Sequence, residues 1–328
     1  MPANTFTNLA APRITIGLTC FNAEKTIGRA LQSALSQDWP DLEVVVVDDA
    51  STDASWEIIK QFATSDLRIK PARHTVNGGP AAARNTILGS ATGGIVAFFD
   101  DDDMSLPERV RMQHETMRAY EETSGARLIA CYATGLRRYP NGYELHMPAI
   151  GSQAEIPKGE TVADYLLFND RKEWVFYGAG TPTCALMARL STFRAVGGFD
   201  SSLRRVEDVD FAVRLALAGG HFIGCPQQLF VQHATVASDK TPGKNLEAEL
   251  LLIEKHAEYL RRRGRYGYAR DWFRIRFYHF NGQRLKFLAV LAVFLLRYPV
   301  SGMRHLMRSL PGRWAHERSM RNRAGVPR

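Results

Sequence analysis

Cysteine is scarce in this chain of 328 residues, and acidic residues are almost missing from its C-terminal end. The four cysteines, Cys20, Cys131, Cys184 and Cys225, stand far apart in the sequence. Because that spacing fits neither a zinc site nor a disulfide framework, we expect reduced thiols in a cytoplasmic protein. Residues 1–12 contain no basic stretch followed by an apolar one, so we expect no signal peptide, only a short N-terminal extension.

Two other missing features exclude classes of protein. No G-x-G-x-x-G pattern follows the first apolar segment, which disfavours a dehydrogenase. The unbroken apolar run at residues 287–296 would span about 15 Å as a helix, half of the roughly 30 Å hydrocarbon core of a bilayer, so it does not predict a transmembrane helix. Hydrophobic residues make up 45% of the chain and charged ones 23%, which is typical of a folded globular protein.

Charge is distributed unevenly along the chain. Residues 261–328 contain 16 arginines and one lysine against only Asp271 and Glu317, whereas the preceding 260 residues hold 25 basic and 32 acidic side chains. An acidic main part followed by a basic C-terminal segment indicates a catalytic domain joined to a region that binds anions.

Strand-like and helix-like stretches alternate in the first part of the chain. Short apolar runs predict strands at residues 13–20, 42–48, 68–74, 95–100 and 128–132. Apolar residues at helical spacing predict helices at residues 26–37, 55–64, 81–90 and 107–123. This alternation predicts an α/β fold with a mostly parallel central sheet.

The second part of the chain is less regular. Residues 134–180 predict irregular structure with one helix at 161–168, followed by strands at 184–188, 221–225 and 229–233 and by helices at 191–196, 208–218 and 245–263. We therefore predict a main domain at residues 13–240, made of two halves at about 13–133 and about 134–240. Residues 241–328 would form a helical, arginine-rich region.

Polar residues stand at the ends of three predicted strands, at residues 19–22, 48–49 and 100–103. Ligands of parallel α/β sheets bind beyond the carboxyl ends of the strands, so these residues are expected to form one site. The four adjacent carboxylates at 100–103 repel one another unless a cation or water screens them, and oxygen ligands suit Mg²⁺ or Mn²⁺. A solvated acidic turn is the alternative, but the position at a buried strand's end favours the metal.

Several motifs resemble family 2 glycosyltransferases with the GT-A fold. They are TCFN (19–22) with ALQSALSQ (30–37), EVVVVDDASTD (43–53), NGGPAAARN (77–85), FDDDDMSLP (99–107), and VGGFD (196–200) followed by the acidic pair at 207–208. Together they follow the family's order over about residues 13–235. The resemblance implies a nucleotide-sugar-binding, Rossmann-like domain and a divalent metal, Mn²⁺ or Mg²⁺. It also implies that the half at about 13–133 binds the donor and the half at about 134–240 binds the acceptor.

The resemblance also implies roles for individual residues. The residues implied to bind the donor nucleotide are Thr19, Phe21, Asn22, Asp49, Arg84, Asp100 and Asp101. Among them, Thr19 and Phe21 would line the pocket of the nucleotide base, and Asp49 would accept a hydrogen bond from the uracil ring. Asp100 or Asp101 would contact the ribose. Asp102 is the implied metal ligand, and His233 is a further metal ligand or phosphate contact, with an ordinary core histidine left open as the alternative.

The acidic pair is the expected catalytic centre. An inverting transfer needs a base that deprotonates the acceptor hydroxyl as it attacks the anomeric carbon. By resemblance the second acid, Asp208, is that base, and Glu207 is its neighbour in acceptor binding. The alternative is that Asp208 caps the helix at 208–218.

The sequence therefore favours an inverting transferase that moves a sugar, from a UDP-linked donor, to a growing polysaccharide or a lipid-linked glycan. A nucleotidyltransferase is the second reading, but it would need a glycine-rich loop with arginine and lysine after the first strand, which residues 19–24 lack. A non-catalytic lipid- or nucleic-acid-binding protein on the same fold is the third.

The C-terminal segment leaves two interpretations open. Residues 283–310 would lie on a membrane surface as an interfacial helix, with the protein peripheral at the inner face of the cell membrane. Alternatively, the apolar run packs against the core or against a second subunit of a homo-oligomer. Nucleic-acid binding is not expected, because no RNA- or DNA-binding motif accompanies the arginines.

Overall fold

A computed structural model describes residues 11–153, 155–234 and 242–308, and its strands form one sheet. The strands are β1 (Ile14–Cys20), β2 (Leu42–Asp48), β3 (Ile69–Arg73), β4 (Ile95–Asp100), β5 (Met104–Ser105), β6 (Ile129–Arg138), β7 (Glu144–Met147), β8 (Leu186–Arg189) and β9 (His221–His233). Their order is β3-β2-β1-β4-β8-β6-β9-β5, and β7 pairs with β6 outside this path.

The sheet is mostly parallel, as predicted. Strands β1, β2, β3 and β4 pair in parallel, and so do β6 and β9. Strand β8 runs antiparallel between β4 and β6. The side chains of β1 and β2 are almost all buried on both faces, which explains why these segments are continuous apolar runs rather than alternating ones.

Helices cover the sheet, and further helices follow its last strand at the C-terminal end of the chain. They are α1 (Ile27–Leu35), α2 (Ser55–Ser65), α3 (Pro80–Ser90), α4 (Arg109–Ser124), α5 (Glu160–Phe168), α6 (Leu190–Ala195), α7 (Glu207–Leu217), α8 (Pro242–Lys255), α9 (Ala257–Arg262), α10 (Tyr266–Phe280) and α11 (Arg284–Arg297). A further helix occupies residues 299–308. Helix α3 packs on β1 and β2, and α5 packs on α7.

The segment predicted to be irregular contains more sheet than expected. Strand β6 crosses residue 133, the predicted boundary between the two halves, and forms a hairpin with β7. The two strands predicted at 221–225 and 229–233 are one strand, β9, whose register against β6 shifts around Thr134. Pro226 stands at this irregularity, where a missing backbone donor is tolerated. A single sheet therefore joins both predicted halves.

The C-terminal helices share the core of the sheet domain. Leu252, Leu260 and Phe273 belong to the same buried cluster as the strands. The single helix predicted at 245–263 is divided into α8 and α9 at His256, whose Nε2 lies 2.9 Å from the Asp210 carboxylate of α7. Within the described residues, no helix is both long and apolar enough to cross a bilayer. The described residues do not include 309–328. They also do not include 235–241, where the predicted domain boundary falls.

Candidate active site

The polar ends of three strands lie side by side, as the sequence predicted. Thr19 at the end of β1 is the register partner of Asp100 at the end of β4, and Cys20 is the partner of Asp48 at the end of β2. These strands are parallel, so their carboxyl ends open on one edge of the sheet. The loops that follow them form the candidate site.

Asp49 is held rigidly at this edge. Its carboxylate is buried and accepts hydrogen bonds from the backbone N–H groups of Gly78 at 2.8 Å and Gly79 at 2.7 Å. Its Oδ1 also lies 2.7 Å from Nδ1 of His74. Gly79 has φ +83° and precedes α3, so these glycines begin the helix as well as bind Asp49. Oδ2 keeps acceptor capacity for a further donor, such as a base N–H.

The loop after β1 presents an aromatic ring to solvent. Phe21 is 49% exposed, and its backbone N–H donates to Oδ2 of Asp101 at 2.9 Å. Asn22 has φ +52°, and its side-chain oxygen accepts from the N–H of Thr52 at 2.8 Å. This left-handed residue and its hydrogen bond link the β1 and β2 loops, which leaves Phe21 free to stack on a planar ligand.

The acidic cluster, residues 100–103, is strongly perturbed. Burial, reinforced by the neighbouring carboxylates, raises the pKa of Asp103 to about 8. Burial likewise raises the pKa of Asp101 to about 8, and it raises the pKa of Asp100. A bound cation would favour the ionised forms and relieve this cost. The cluster thus has the electrostatics of a cation site.

Atoms free to bind a cation are present in the cluster. Oδ2 of Asp103 is buried and has no hydrogen-bond partner among the described residues, and the same holds for Nδ1 of His233. The backbone N–H of His233 donates to Oδ1 of Asp103 at 3.3 Å, so the end of β9 closes over the cluster. One possible metal-ligand atom from each of Asp100, Asp103 and Cys184 lies within 4.8 Å of the other two. The residues therefore fit a divalent metal.

Neither of the two individually predicted metal ligands is in that group. Asp102 and His233 are not among its three members, although the Asp102 carboxylate acts electrostatically on His233. Arg29 donates to the backbone oxygen of Asp102 at 2.8 Å and fixes the turn. Asp103 belongs to the acidic run that was predicted to hold the metal, although it was not singled out as a ligand. Cys184 was not predicted, and nothing in the sequence marks it.

A buried arginine, also not predicted, lies beneath the cluster. Arg109 of α4 is 1% exposed and donates to the backbone oxygens of Phe98 at 2.9 Å and Cys184 at 2.7 Å. Its guanidinium lies over the Phe99 ring at 4.3 Å, and burial lowers the pKa of Arg109 to about 10. This fixed positive charge offsets part of the repulsion among the four carboxylates.

These raised pKa values predict how metal and pH act on stability. Below about pH 8 the folded, metal-free protein retains protons on Asp101 and Asp103 that the unfolded chain loses above about pH 4, so its stability falls as pH rises through this window. Mn²⁺ competes with those protons, so we expect it to stabilise the protein more at pH 8.5 than at pH 6. At 100 times its Kd the gain is about 2.7 kcal/mol.

Thermal unfolding with Mn²⁺ and with chelator at the two pH values measures this difference. Subtracting the chelator curve removes the pH dependence of all other groups. An Mn²⁺-induced rise in Tm that is equal at both pH values, or absent, would contradict the assignment of the cluster as a cation site.

One arginine connects the acidic cluster to the predicted catalytic pair. Arg84 of α3 is nearly buried, donates to Glu207 at 2.5 Å and lies 3.9 Å from Asp100. Its guanidinium also lies over the Phe199 ring at 5.4 Å. Arg84 therefore faces carboxylates of its own chain, and its predicted contact with the nucleotide stays a prediction.

Asp208 is not the helix cap that the alternative interpretation required. Helix α7 begins at Glu207, its N-cap is Val206, and no side chain caps it. Burial, and next the Glu207 carboxylate, raise the pKa of Asp208 to about 6. A partly buried carboxylate with this pKa is suited to accept a proton near neutral pH.

The start of α7 is fixed from two sides. Asp210, two residues after Asp208, is fully buried and binds Arg214 at 2.8 Å, Lys255 at 3.0 Å and His256 at 2.9 Å. On the other side, Phe199 packs between the rings of Phe98 and Phe211. Packing thus holds the acidic pair against the sheet.

The side chain of Asn85 takes part in the same support. Its amide exchanges two hydrogen bonds with the backbone of Phe199, at 2.7 and 2.9 Å, so it fixes the glycine turn. Gly197 and Gly198 both have positive φ, which the turn before Phe199 requires.

The sheet order and the acidic strand end define a GT-A sugar transferase fold. The model of the glycosyl transferase family 2 matches residues 15–178, half of the chain, and the chain belongs to this family. Among curated relatives, EpsE of Bacillus subtilis strain 168, named as a glycosyltransferase, is 29% identical over 213 residues, which cover 62% of this chain and 67% of EpsE.

A second relative is similar over a shorter stretch of the chain. The Escherichia coli protein WfaP, named as a UDP-Glc:alpha-D-GlcNAc-diphosphoundecaprenol beta-1,3-glucosyltransferase, is 35% identical over 100 residues. These residues cover 30% of this chain and 39% of WfaP, so the chain matches less than half of that protein's length.

Solved structures share the fold over most of the chain. Staphylococcus aureus TarS in complex with UDP-GlcNAc has a TM-score of 0.59 at 21% identity, covering 86% of this chain and 80% of the TarS chain. The mannosyltransferase PcManGT of Pyrobaculum calidifontis, in complex with GDP-Man and Mn²⁺, has a TM-score of 0.55 at 19% identity, covering 92% and 81%. At these identities the likeness establishes the fold.

Proposed function

We propose that this glycosyltransferase is an inverting, metal-dependent enzyme that moves a sugar from a UDP-sugar to a hydroxyl of a glycan or lipid-linked acceptor in polysaccharide biosynthesis. The observation that carries the proposal is the position of Arg84. It touches Glu207 and lies 3.9 Å from Asp100, so the cation-binding strand end and the acidic start of α7 form one charge network. The sugar donor and the catalytic base would therefore lie at the same edge of the sheet.

The base pocket would form between the β1 and β2 loops. Phe21 offers an exposed ring for stacking, and Asp49, fixed by Gly78 and Gly79, offers a carboxylate oxygen to the uracil N–H. Thr19 and Asn22 shape the same opening. UDP is favoured over GDP because one available acceptor suits uracil, which presents a single N–H, better than guanine, which presents a ring N–H and an amino group side by side. WfaP is named for a UDP-Glc donor, and the TarS structure is a complex with UDP-GlcNAc.

The acidic cluster would hold the metal. Asp102 and His233 are the proposed ligands, with Asp103 and Asp100 beside them, and the ribose would meet Asp100 or Asp101. The metal, when bound, would neutralise charge on the departing nucleoside diphosphate. The Mn²⁺ in the PcManGT complex supports this cofactor.

Asp208 would act as the base. Its carboxylate takes the proton from the acceptor hydroxyl while that oxygen attacks the anomeric carbon, and the bond to the nucleoside diphosphate breaks on the opposite face of the sugar. The configuration at the anomeric carbon is therefore inverted. Glu207, held by Arg84, keeps negative charge beside Asp208 and so helps to raise the pKa of this base.

The acceptor is proposed from the relatives and from the charge of the chain. WfaP is named for a diphosphoundecaprenol-linked acceptor. A basic C-terminal region suits an enzyme whose acceptor carries phosphates at a membrane, so a peripheral position at the inner face of the cell membrane is part of the proposal.

A donor panel tests the function. The purified chain is incubated with UDP-, GDP- and dTDP-linked sugars and Mn²⁺, with water or simple glycosides as acceptors of the sugar, and the released nucleoside diphosphate is measured. We expect turnover with a UDP-sugar and loss of turnover with chelator. Turnover of a GDP- or dTDP-sugar alone would overturn the assignment of uracil as the base of the donor nucleotide. Release of pyrophosphate from a nucleoside triphosphate would favour a nucleotidyltransferase.

A further inference from the structure

Helix α11 packs on the core through one face only. Phe294 is fully buried, with its ring centroid 4.9 Å from that of Tyr268 and 6.0 Å from that of Trp272, both on α10. The helix at residues 299–308 packs on the same two rings through His305, whose Nδ1 lies 2.8 Å from the Tyr268 hydroxyl. The packing interpretation of the apolar run is therefore correct for one face of α11, and the helix at 299–308 packs in the same way.

The remaining faces of both helices expose large apolar side chains, which we call the apolar stripe. Its members are Leu285, Leu288, Val293 and Leu296 on α11, and Val300, Met303 and Met307 on the following helix. They recur every three to five residues, and Leu285 and Leu296 are 84% and 83% exposed. A stripe of seven such residues on adjacent helices is larger than the scattered apolar residues of ordinary surfaces and indicates an interaction site.

The two helices carry charges of one sign. Residues 284–308 contain no aspartate or glutamate, and their five cations are Arg284, Lys286, Arg297, Arg304 and Arg308, all exposed. Two of these cations also pair with carboxylates of other segments, Arg297 with Asp271 at 3.2 Å and Arg308 with Glu173 at 3.4 Å. At 3.6 residues per turn, Lys286 and Arg297 border the face that carries Leu285, Leu288 and Leu296. Apolar residues rimmed by cations complement a surface that is apolar within and anionic at its edge.

An anionic bilayer has that chemistry, and a second copy of this chain does not. Face-to-face pairing of two copies would bring ten cations together across a low-dielectric interface. Neither helix is long enough to cross a bilayer, so the geometry suits a helix pair lying in the plane of the headgroups.

We propose that α11 and the helix at 299–308 dock on anionic lipid, with the apolar stripe buried at the boundary of headgroups and acyl chains and the five cations at the phosphates. The helices are fixed to the core through Tyr268 and Trp272, so the whole catalytic domain is held at the membrane surface. Docking requires neither donor nor metal.

Flotation of the full chain with lipid vesicles tests the docking. The probes are vesicles of phosphatidylglycerol with phosphatidylcholine, and vesicles of phosphatidylcholine alone. We expect at least tenfold more protein bound to the anionic vesicles, and release at high salt. The test variant is Leu288→Glu/Leu296→Glu, which places two charges in the apolar stripe and should lose at least tenfold of the vesicle binding.

The matched control is Leu67→Glu/Leu251→Glu. It makes the same charge change at two exposed leucines, 84% and 51% exposed, outside the stripe, and should bind vesicles like the wild type. Calorimetric UDP binding by all three proteins separates docking from the catalytic proposal and reports on folding. The docking proposal is overturned if the wild type does not float, if the stripe variant floats equally well, or if light scattering shows a dimer that the stripe variant dissociates without any effect of lipid.

Discussion

Replacing Asp208 by asparagine is expected to lower kcat by about 10³-fold and to leave the affinity for the donor almost unchanged. Loss of a positioned general base costs this much, because the acceptor hydroxyl must then lose its proton to water. Donor affinity should persist because the proposed donor contacts lie on the β1, β2 and β4 loops, not on α7. The measurement is steady-state kinetics with the UDP-sugar that the donor panel identifies.

The pH profile gives the same prediction a second, independent readout. Since Asp208 must be ionised to act and its pKa is raised to about 6, kcat/KM should fall tenfold per unit below about pH 6 and level off above it. The small remaining activity of Asp208→Asn should not show this step. Asp41→Asn is the matched control, because Asp41 precedes β2 at the opposite edge of the sheet and pairs with Arg13 at 2.9 Å. An unchanged kcat in Asp208→Asn would remove Asp208 from the mechanism.

Replacing Arg84 by methionine is expected to destabilise the fold by about 3–5 kcal/mol, because it leaves the buried carboxylate of Glu207 without its partner. The same change also removes positive charge near Asp100. Chemical denaturation measures the loss of stability. Arg111→Met is the control: Arg111 pairs with Asp38 on the surface, and breaking such a pair costs about 0–1 kcal/mol.

A double variant separates the two consequences of losing Arg84. Arg84→Met/Glu207→Gln removes both charges of the buried pair, so we expect it to recover more than half of the lost stability without recovering activity. If Arg84→Met is as stable as the wild type, the link between the acidic cluster and α7 is not the buried ion pair described above.

The sequence was most informative where strands are buried on both faces. β1, β2 and β4 were predicted within one residue, because continuous apolar runs ending in polar residues are typical of parallel strands in an α/β sheet. The same polar ends correctly predicted which loops would meet. The roles of their residues came from resemblance, and they stay predictions.

Tertiary contacts determined what the sequence did not show. Pro226 divided β9 into two predicted strands, yet a shift in register against β6 accommodates it. Arg109 looked like one more charge on a polar helix, but its hydrogen bonds to the backbone oxygens of Phe98 and Cys184 form only when α4 packs against other segments. The apolar run at 287–296 could not be assigned from the sequence, because one face of its helix packs on α10 and the other exposes apolar side chains.

Calorimetric titration of UDP into the purified chain, with Mn²⁺ and with chelator, for the wild type and Asp102→Ala, tests the central claim most directly. A metal-dependent nucleotide-sugar site predicts binding by the wild type with Mn²⁺, much weaker binding with chelator, and loss of the metal effect in Asp102→Ala. Equal binding in all four experiments would contradict the metal site, and no binding in any of them would contradict the UDP assignment.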